Sequence, residues 1–256
     1  MSSISVCAID RPPVHIGSDD AARSDSVAPM SNDNPMFDEQ NAARYNDRWA
    51  KLAPFAKSVH LLAGSALRSL GDDAHVLCVG AGTGAELGAL AQQFPTWRFL
   101  AVDPAEAMLR RARQEMERIG VAERCEFFTG TLDQAPMTAP FDACTSILVS
   151  HFLVDRAARV EFFREMRRRL KRGGVLVTAD LAASSIEGTL GDIWNGLLEH
   201  VGLTPDEIAV YREQLGKTVS IVPVHELEAL VAEGGFEGIE RVFQACWIGA
   251  WVARAR

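Results

Sequence analysis

Residues 75–94 read HVLCVGAGTGAELGALAQQF: an apolar run, a glycine-rich turn, then an amphipathic pattern. HVLCVG (75–80) lacks the alternation of a half-exposed strand, so it is expected to be covered on both faces, and the turn after it opens a helix. The same alternation recurs outward from this unit. WRFLAVD (97–103) is the next strand, and Pro104 at the first helical position starts a helix with the inner stripe Met108, Leu109, Ala112, Met116 and Ile119. CEFFTG (125–130) and FDACTSILV (141–149) are further strands. Phe162, Phe163, Met166 and Leu170 mark a helix closed by Lys171-Arg172-Gly173-Gly174, before the strand VLVTAD (175–180). The chain closes with a helix (226–233), the pair Gly234-Gly235, and two strands, GIERVFQA and AWVARAR. Their connection is too short for a parallel crossover, so the last strand must run antiparallel. The expected fold class is α/β: a Rossmann-like doubly wound sheet, mostly parallel, with an antiparallel C-terminal strand, N-terminal helices and a helical lid insertion.

Residues 1–34 are rich in Ser, Asp and Pro without periodicity and read as a flexible leader; 35–256 form a single domain. Phe37, Tyr45, Trp49 and Leu52 space a helix that Pro54 interrupts, and Phe55, Val59, Leu62, Ala66 and Leu70 space a second one ending at Gly71, so 35–72 hold the N-terminal helices. From 181 to 218 the strand–helix alternation breaks. A helix near 191–200 and another opened by the capping box Thr204-Pro205-Asp206-Glu207 make an insertion at the sheet edge. It leaves directly after Asp180, at the carboxyl end of a strand, and is expected to act as a lid.

The chain has 256 residues with 26 Lys+Arg against 34 Asp+Glu, a formal charge of −8. That balance argues against a protein that holds nucleic acid by neutralising phosphates. No apolar run is long enough to span a bilayer, and no secretory core opens the chain, so a cytoplasmic location is expected, with no membrane partner. Five cysteines without a CxxC pair read as reduced thiols, and no metal site is expected. Oligomeric state cannot be read from these features.

The glycines of Val79-Gly80-Ala81-Gly82-Thr83-Gly84 let a ligand approach the backbone, and Asp103, ending the next strand, can accept both hydroxyls of a ribose. Gly80, Gly82 and Ala85 also satisfy a dinucleotide fingerprint, so a nicotinamide-dependent oxidoreductase stays open, as does a purely structural turn.

The series VGAGTG, VDP, FFTGTLDQAP, FDACTSILVSHFL and LKRGGVLVTAD resembles the class I S-adenosylmethionine-dependent methyltransferases over residues 37–256. FDEQNAARYNDRW and GGFEGIERVFQACWIGAWVARAR look like small-molecule methyltransferases and, distantly, like carboxy-S-adenosylmethionine synthases. The resemblance implies S-adenosyl-L-methionine as cofactor. It places Gly80, Ala81, Gly82, Thr83 and Gly84 against the methionine part and Asp103 on the ribose. Pro104 and Met108 would pack on the adenine, with Thr131, Leu132 and Asp133 at its edge. Many relatives carry Asp where this chain has Thr131, so whether Thr131 or Asp133 meets the adenine amine stays open. Ile147 and Leu148 would flank the sulfonium.

His151 falls at the carboxyl end of a strand, where it could serve as general base or stand as a solvated loop residue. Phe37, Tyr45, Trp49, Trp194, Tyr211 and Trp247, with Phe243, are candidates to line the acceptor pocket. Arg212 would read an anionic or carboxyl-bearing acceptor, unless it pairs with Glu207 or Glu213 on its own helix. The basic run from Arg164 to Arg172 reads as a solvated helix face. The expected activity is methyl transfer to an O, N, S or C atom of a small molecule by in-line displacement. The alternatives are conversion of the cofactor itself, a nicotinamide-dependent oxidoreductase, and a binding module without turnover.

Overall fold

β1 (His75–Val79) is the strand of the 75–94 unit, and every residue after His75 is buried. It pairs in parallel with β2 (Arg98–Asp103) on one side and β4 (Phe141–Ile147) on the other. β3 (Cys125–Thr129) extends the β2 side, and β5 (Leu170–Leu181) the β4 side, both in parallel. β6 (Phe236–Ala245) and β7 (Ile248–Ala255) form a hairpin whose second strand runs antiparallel to β5, as the short connection requires. The order is β3-β2-β1-β4-β5-β7-β6. The winding reverses between β1 and β4, which opens a crevice at their carboxyl ends.

The computed structural model describes residues 50–137 and 140–256. The helices in this range are α1 (Ala53–Leu67), α2 (Ala85–Gln93), α3 (Glu106–Arg118), α4 (Arg156–Arg169), α5 (Gly188–Val201), α6 (Pro205–Gln214) and α7 (Val224–Glu233). Ala63 and Leu67 of α1, Leu87 and Leu90 of α2, and Leu109 and Met116 of α3 pack on one face of the sheet. Val160, Phe163 and Met166 of α4, with Leu227 and Leu230 of α7, cover the other. α5 and α6 contribute Trp194, Leu198 and Ile208 to a third cluster with Leu181 and Ile248, at the carboxyl end of the sheet. The leader and the helix expected to carry Phe37, Tyr45 and Trp49 lie outside the described residues.

Local chemistry sets several boundaries. Asp155 caps α4 by accepting from the Ala158 amide at 2.7 Å, and Thr204 and Glu207 form the expected reciprocal box at α6. α3 starts at Glu106, two residues after the expected Pro104, because the Asp103 carboxylate takes the Ala105 amide at 2.8 Å and holds the chain in a turn. β5 begins at Leu170, expected as the last residue of the helix stripe, and takes in the 171–174 segment expected to close that helix. Leu170 pairs with Phe141, and a register shift before Ala143 absorbs the extra residues. The buried stripe of α1 is Val59, Ala63, Gly64 and Leu67, rotated from the expected one. At Gly64 the helix meets Gln93 so closely that a Cβ would collide with it.

The basic run is only partly a solvated face. Arg164 and Arg168 pair with Glu161 on the surface. Arg169 is 3 % exposed and donates to the carbonyls of Leu132, Ala135 and Pro136 at 2.6–3.1 Å. No helix among the described residues is long and apolar enough to cross a membrane, and none of their His, Cys, Asp and Glu side chains form a group fit to hold a metal.

Candidate functional site

The turn after β1 depends on its glycines. Gly80, Gly82 and Gly84 have φ of 67°, 53° and 81°, the left-handed region that L side chains avoid. A Cβ on Gly80 would also collide with Val149. The amides of Gly80 and Ala81 both donate to the Val102 carbonyl, at 2.8 and 3.2 Å, which folds the turn over the end of β2. The Gly82 amide donates to Asp103 Oδ2 at 2.8 Å. Asp103 therefore organises the turn besides standing at the rim. Burial pushes its carboxyl up, and the amides of Ala105 and Gly82 partly oppose that shift.

Around this turn the expected cofactor residues converge. Met108 is buried, and its Cε lies 3.9 Å from where a Gly82 Cβ would be. Thr83 and Gly84 are buried at the turn's end, and Pro104 is half-buried. At the end of β3, Leu132 is buried and Asp133 exposed, while the buried Thr131 hydroxyl faces the Gln134 amide in a capping box too loose for a hydrogen bond. Arg169 is the clamp that fixes this loop from behind. Ile147 and Leu148 are half-buried at the end of β4. Leu148 has φ of 59°, strained for a branched side chain, and is held there by its amide donating to the Ala179 carbonyl at 2.7 Å.

His151 is not a solvated loop residue: it is 5 % exposed. Its Nδ1 lies 2.6 Å from Asp180 Oδ1, and its amide donates to the same oxygen at 3.2 Å. Asp180 is fully buried at the end of β5. Its Oδ2 accepts from Arg159 Nη2 at 3.0 Å and from the Ser150 hydroxyl, which in turn accepts from Arg159 Nε at 2.8 Å. Burial raises the Asp180 carboxyl, but an imidazolium at His151, the Arg159 charge and the hydrogen bonds from His151 and Ser150 outweigh it and hold the group at about 2. Because an ionised Asp180 accepts at Nδ1, that nitrogen keeps its proton, and Nε2 is the ring nitrogen that can take one up or give one away. The segment carrying His151 abuts the glycine turn through the Gly80–Val149 contact.

Of the expected acceptor-pocket residues, the structure brings Trp194, Trp247 and Tyr211 together in the cluster under α5 and α6, with Leu148, Phe152 and Phe243 beside them. The two indoles stack with centroids 4.9 Å apart. Burial pushes the Tyr211 hydroxyl up to about 12, partly opposed by the Trp194 indole. Arg212 does not join them. Its guanidinium pairs with Glu187 at 2.7 Å and Asn195 at 3.3 Å, tying α6 to the start of α5, and neither partner is Glu207 or Glu213. Phe37, Tyr45 and Trp49 lie outside the described residues.

Sequence reasoning misses Asp180, Ser150 and Arg159. Asp180 has a visible signal, since VLVTAD ends on an acid as WRFLAVD does. Arg159 stands four residues before Phe163 on the buried stripe of α4, a charge on an apolar face.

A family profile described as Methyltransferase domain matches residues 76–174. The chain is 34% identical over 117 residues to the biotin biosynthesis bifunctional protein BioHC of Teredinibacter turnerae, covering 43% of this chain and 20% of that protein. It is 23% identical over 215 residues to a carboxy-S-adenosyl-L-methionine synthase of Nautilia profundicola, covering 81% of this chain and 89% of that one. The fold matches a candidate O-methyltransferase from Nostoc punctiforme with a TM-score of 0.64 and 19% identity, covering 87% of this chain and 61% of the other. The chain thus spans a fifth of the bifunctional protein and less than two thirds of the Nostoc structure.

Proposed function

From a chain whose residues 76–174 are a methyltransferase domain on the class I, S-adenosylmethionine-dependent fold, we propose an enzyme that methylates a small molecule at an atom which must first lose a proton. The observation that carries this reading is the buried His151–Asp180 pair beside the glycine turn. A hydroxyl or amine acceptor needs a base; an acceptor that is already nucleophilic does not.

The residues present fit the cofactor. Among the described residues nothing lies nearer than 3.9 Å to where a Gly82 Cβ would stand, which leaves room for a ligand there, Asp103 keeps lone pairs for ribose hydroxyls beyond its two amide partners, and the buried Thr131 hydroxyl suits the adenine edge better than the exposed Asp133. Gly80 to Gly84 would line the methionine end, Met108 and Pro104 the adenine, and Ile147 and Leu148 the sulfur, with apolar surface and no competing charge. When bound, S-adenosylmethionine supplies a methyl group activated by its positive sulfur. The chain contributes orientation, a proton acceptor at His151 Nε2, and exclusion of water by the Trp194, Tyr211 and Trp247 cluster. Conversion of the cofactor itself is less well supported, because Arg212, the carboxylate reader it would use, is already paired with Glu187.

The test is titration calorimetry with S-adenosylhomocysteine, then a metabolite screen for its production. Asp103→Ala removes charge-assisted hydrogen bonds worth about 1.5–3 kcal/mol, so affinity should fall about 10- to 150-fold. Unchanged binding would remove Asp103 from the site.

The insertion would act as a lid whose ends are pinned. The Ser220 amide donates to the His151 carbonyl at 2.7 Å, and the Ala183 amide to Val222 at 3.0 Å. Protease cleavage within 181–218 should slow when cofactor and acceptor bind together, and an unchanged rate would leave the insertion as static cover.

A further inference from the structure

Trp247 occupies the turn between β6 and β7 and is wholly buried, and Trp194 of α5 is 4 % exposed. Their stacked rings join the insertion to the sheet, where Trp247 is held by its carbonyl accepting the Ala182 amide at 2.7 Å. Neither indole N–H makes a hydrogen bond of good geometry: Trp247 Nε1 is buried without one, and Trp194 Nε1 only faces the Tyr211 hydroxyl loosely. An indole nitrogen donates and cannot accept, so the two cannot satisfy each other. Buried polar groups are nearly always paired, and two unspent donors in the cluster next to His151 point to an acceptor atom that a ligand brings.

That atom belongs to a neutral group. An anion buried against N–H donors alone needs a cation beside it, and the guanidinium on α6, Arg212, is spent on Glu187. Among the described residues no charged side chain acts on the Tyr211 hydroxyl or the Cys246 thiol: burial raises both, opposed only by the Trp194 indole and the Trp247 amide. A carbonyl oxygen has two lone pairs and can take both N–H groups. The aromatic rings of Trp194, Trp247, Tyr211, Phe152 and Phe243 in this cluster favour a flat unsaturated ring over a saturated one. Leu148 and Phe152, which flank His151 in the chain, belong to the same cluster, so its ligand lies next to the base.

We propose that the indole N–H groups of Trp194 and Trp247 together receive one carbonyl oxygen of the methyl acceptor, a neutral, flat molecule bearing that oxygen besides the hydroxyl or amine it presents to His151. This rests on the methyltransferase reading above and narrows its small molecule to one class, in place of the carboxyl-bearing acceptor expected through Arg212. Trp194 rides on the insertion and Trp247 on the sheet. Lifting α5 would therefore part the indoles and admit the ligand, and an oxygen shared between them would hold the insertion closed.

The probes are three flat bicyclic phenols: 7-hydroxycoumarin, which carries a ring carbonyl, 2-naphthol, which carries none, and 6-hydroxy-2-naphthoate, which carries a carboxylate. Each is titrated by calorimetry into the full chain saturated with S-adenosylhomocysteine, at about pH 6, where phenols keep their protons and a carboxylate is ionised. 7-Hydroxycoumarin should bind at least about fivefold more tightly than 2-naphthol, and the naphthoate more weakly than either. Trp247→Phe keeps an aromatic ring but loses the N–H, so it should weaken 7-hydroxycoumarin about 3- to 10-fold and leave 2-naphthol within about twofold. The ranking of the three probes on the wild-type protein needs no variant, so poor folding of Trp247→Phe would not blunt it. If 7-hydroxycoumarin binds no better than 2-naphthol, if the naphthoate binds best, or if the substitution weakens both neutral probes alike, the indoles only pack and the inference is wrong. The heat of S-adenosylhomocysteine binding, taken first, reports on the underlying reading separately: without it the methyltransferase reading falls and this inference with it, whereas cofactor binding without a carbonyl preference overturns this inference alone.

Discussion

Asp180→Ala is expected to lower the unfolding free energy by about 3–5 kcal/mol, because it leaves the Arg159 guanidinium buried without its counter-charge. Asp180 is wholly buried and Arg159 is 1 % exposed, so water cannot replace the lost carboxylate. The variant also frees the amides of His151 and Leu181, which donate to Asp180 Oδ1 at 3.2 and 2.9 Å. For a chain of this length the melting temperature should fall by roughly 6–20 °C. A loss under about 1 kcal/mol by denaturant titration would mean that the pair contributes nothing net. The pH dependence has a defined sign. The folded carboxyl sits at about 2, below its unfolded value, so the stabilisation is complete above the unfolded value. It is lost as pH falls from about 4 toward 2.

His151→Ala should slow turnover by about 10²–10⁴-fold on an acceptor that must be deprotonated, with S-adenosylhomocysteine affinity within about threefold of wild type. The dissociation of the two effects matters, since a collapsed site would lose both. Asp180→Asn makes a useful companion: it keeps the shape but can donate to Nδ1, which favours the wrong tautomer at Nε2. It should therefore also slow turnover, although it too leaves the buried Arg159 without its counter-charge and so lowers stability. Equal rates for wild type and His151→Ala on the true acceptor would show that the ring only fills space beside Phe152, whose ring centroid lies 4.3 Å away.

Much of the proposed cofactor half of the site is legible in the amino-acid sequence. Gly80, Gly82 and Gly84 read as backbone requirements, and their positive φ values follow that reading. Asp103 is legible as the acid ending the next strand; that it spends two lone pairs on the Gly82 and Ala105 amides is not. The proposed acceptor half is harder. Trp194, Tyr211 and Trp247 share one cluster, whereas Arg212 turns away because Glu187, 25 residues earlier, lies within reach only once α5 and α6 pack.

Whatever is encoded within one strand–helix unit follows from the chain's own pattern: apolar runs that mark β1 to β5, the capping box at Thr204, the glycine turn, and a short final connection that forces an antiparallel strand. These depend on periodicity, backbone conformation and chain reach, all of which are local. The fate of the charges is decided only by packing. Asp180 meets His151 and Arg159 across 29 and 21 residues of chain, and Glu86 is buried against Cys78 of β1 and Thr145 of β4. The energy of a buried charge depends on everything packed around it, and those neighbours come from elements that no local pattern brings together.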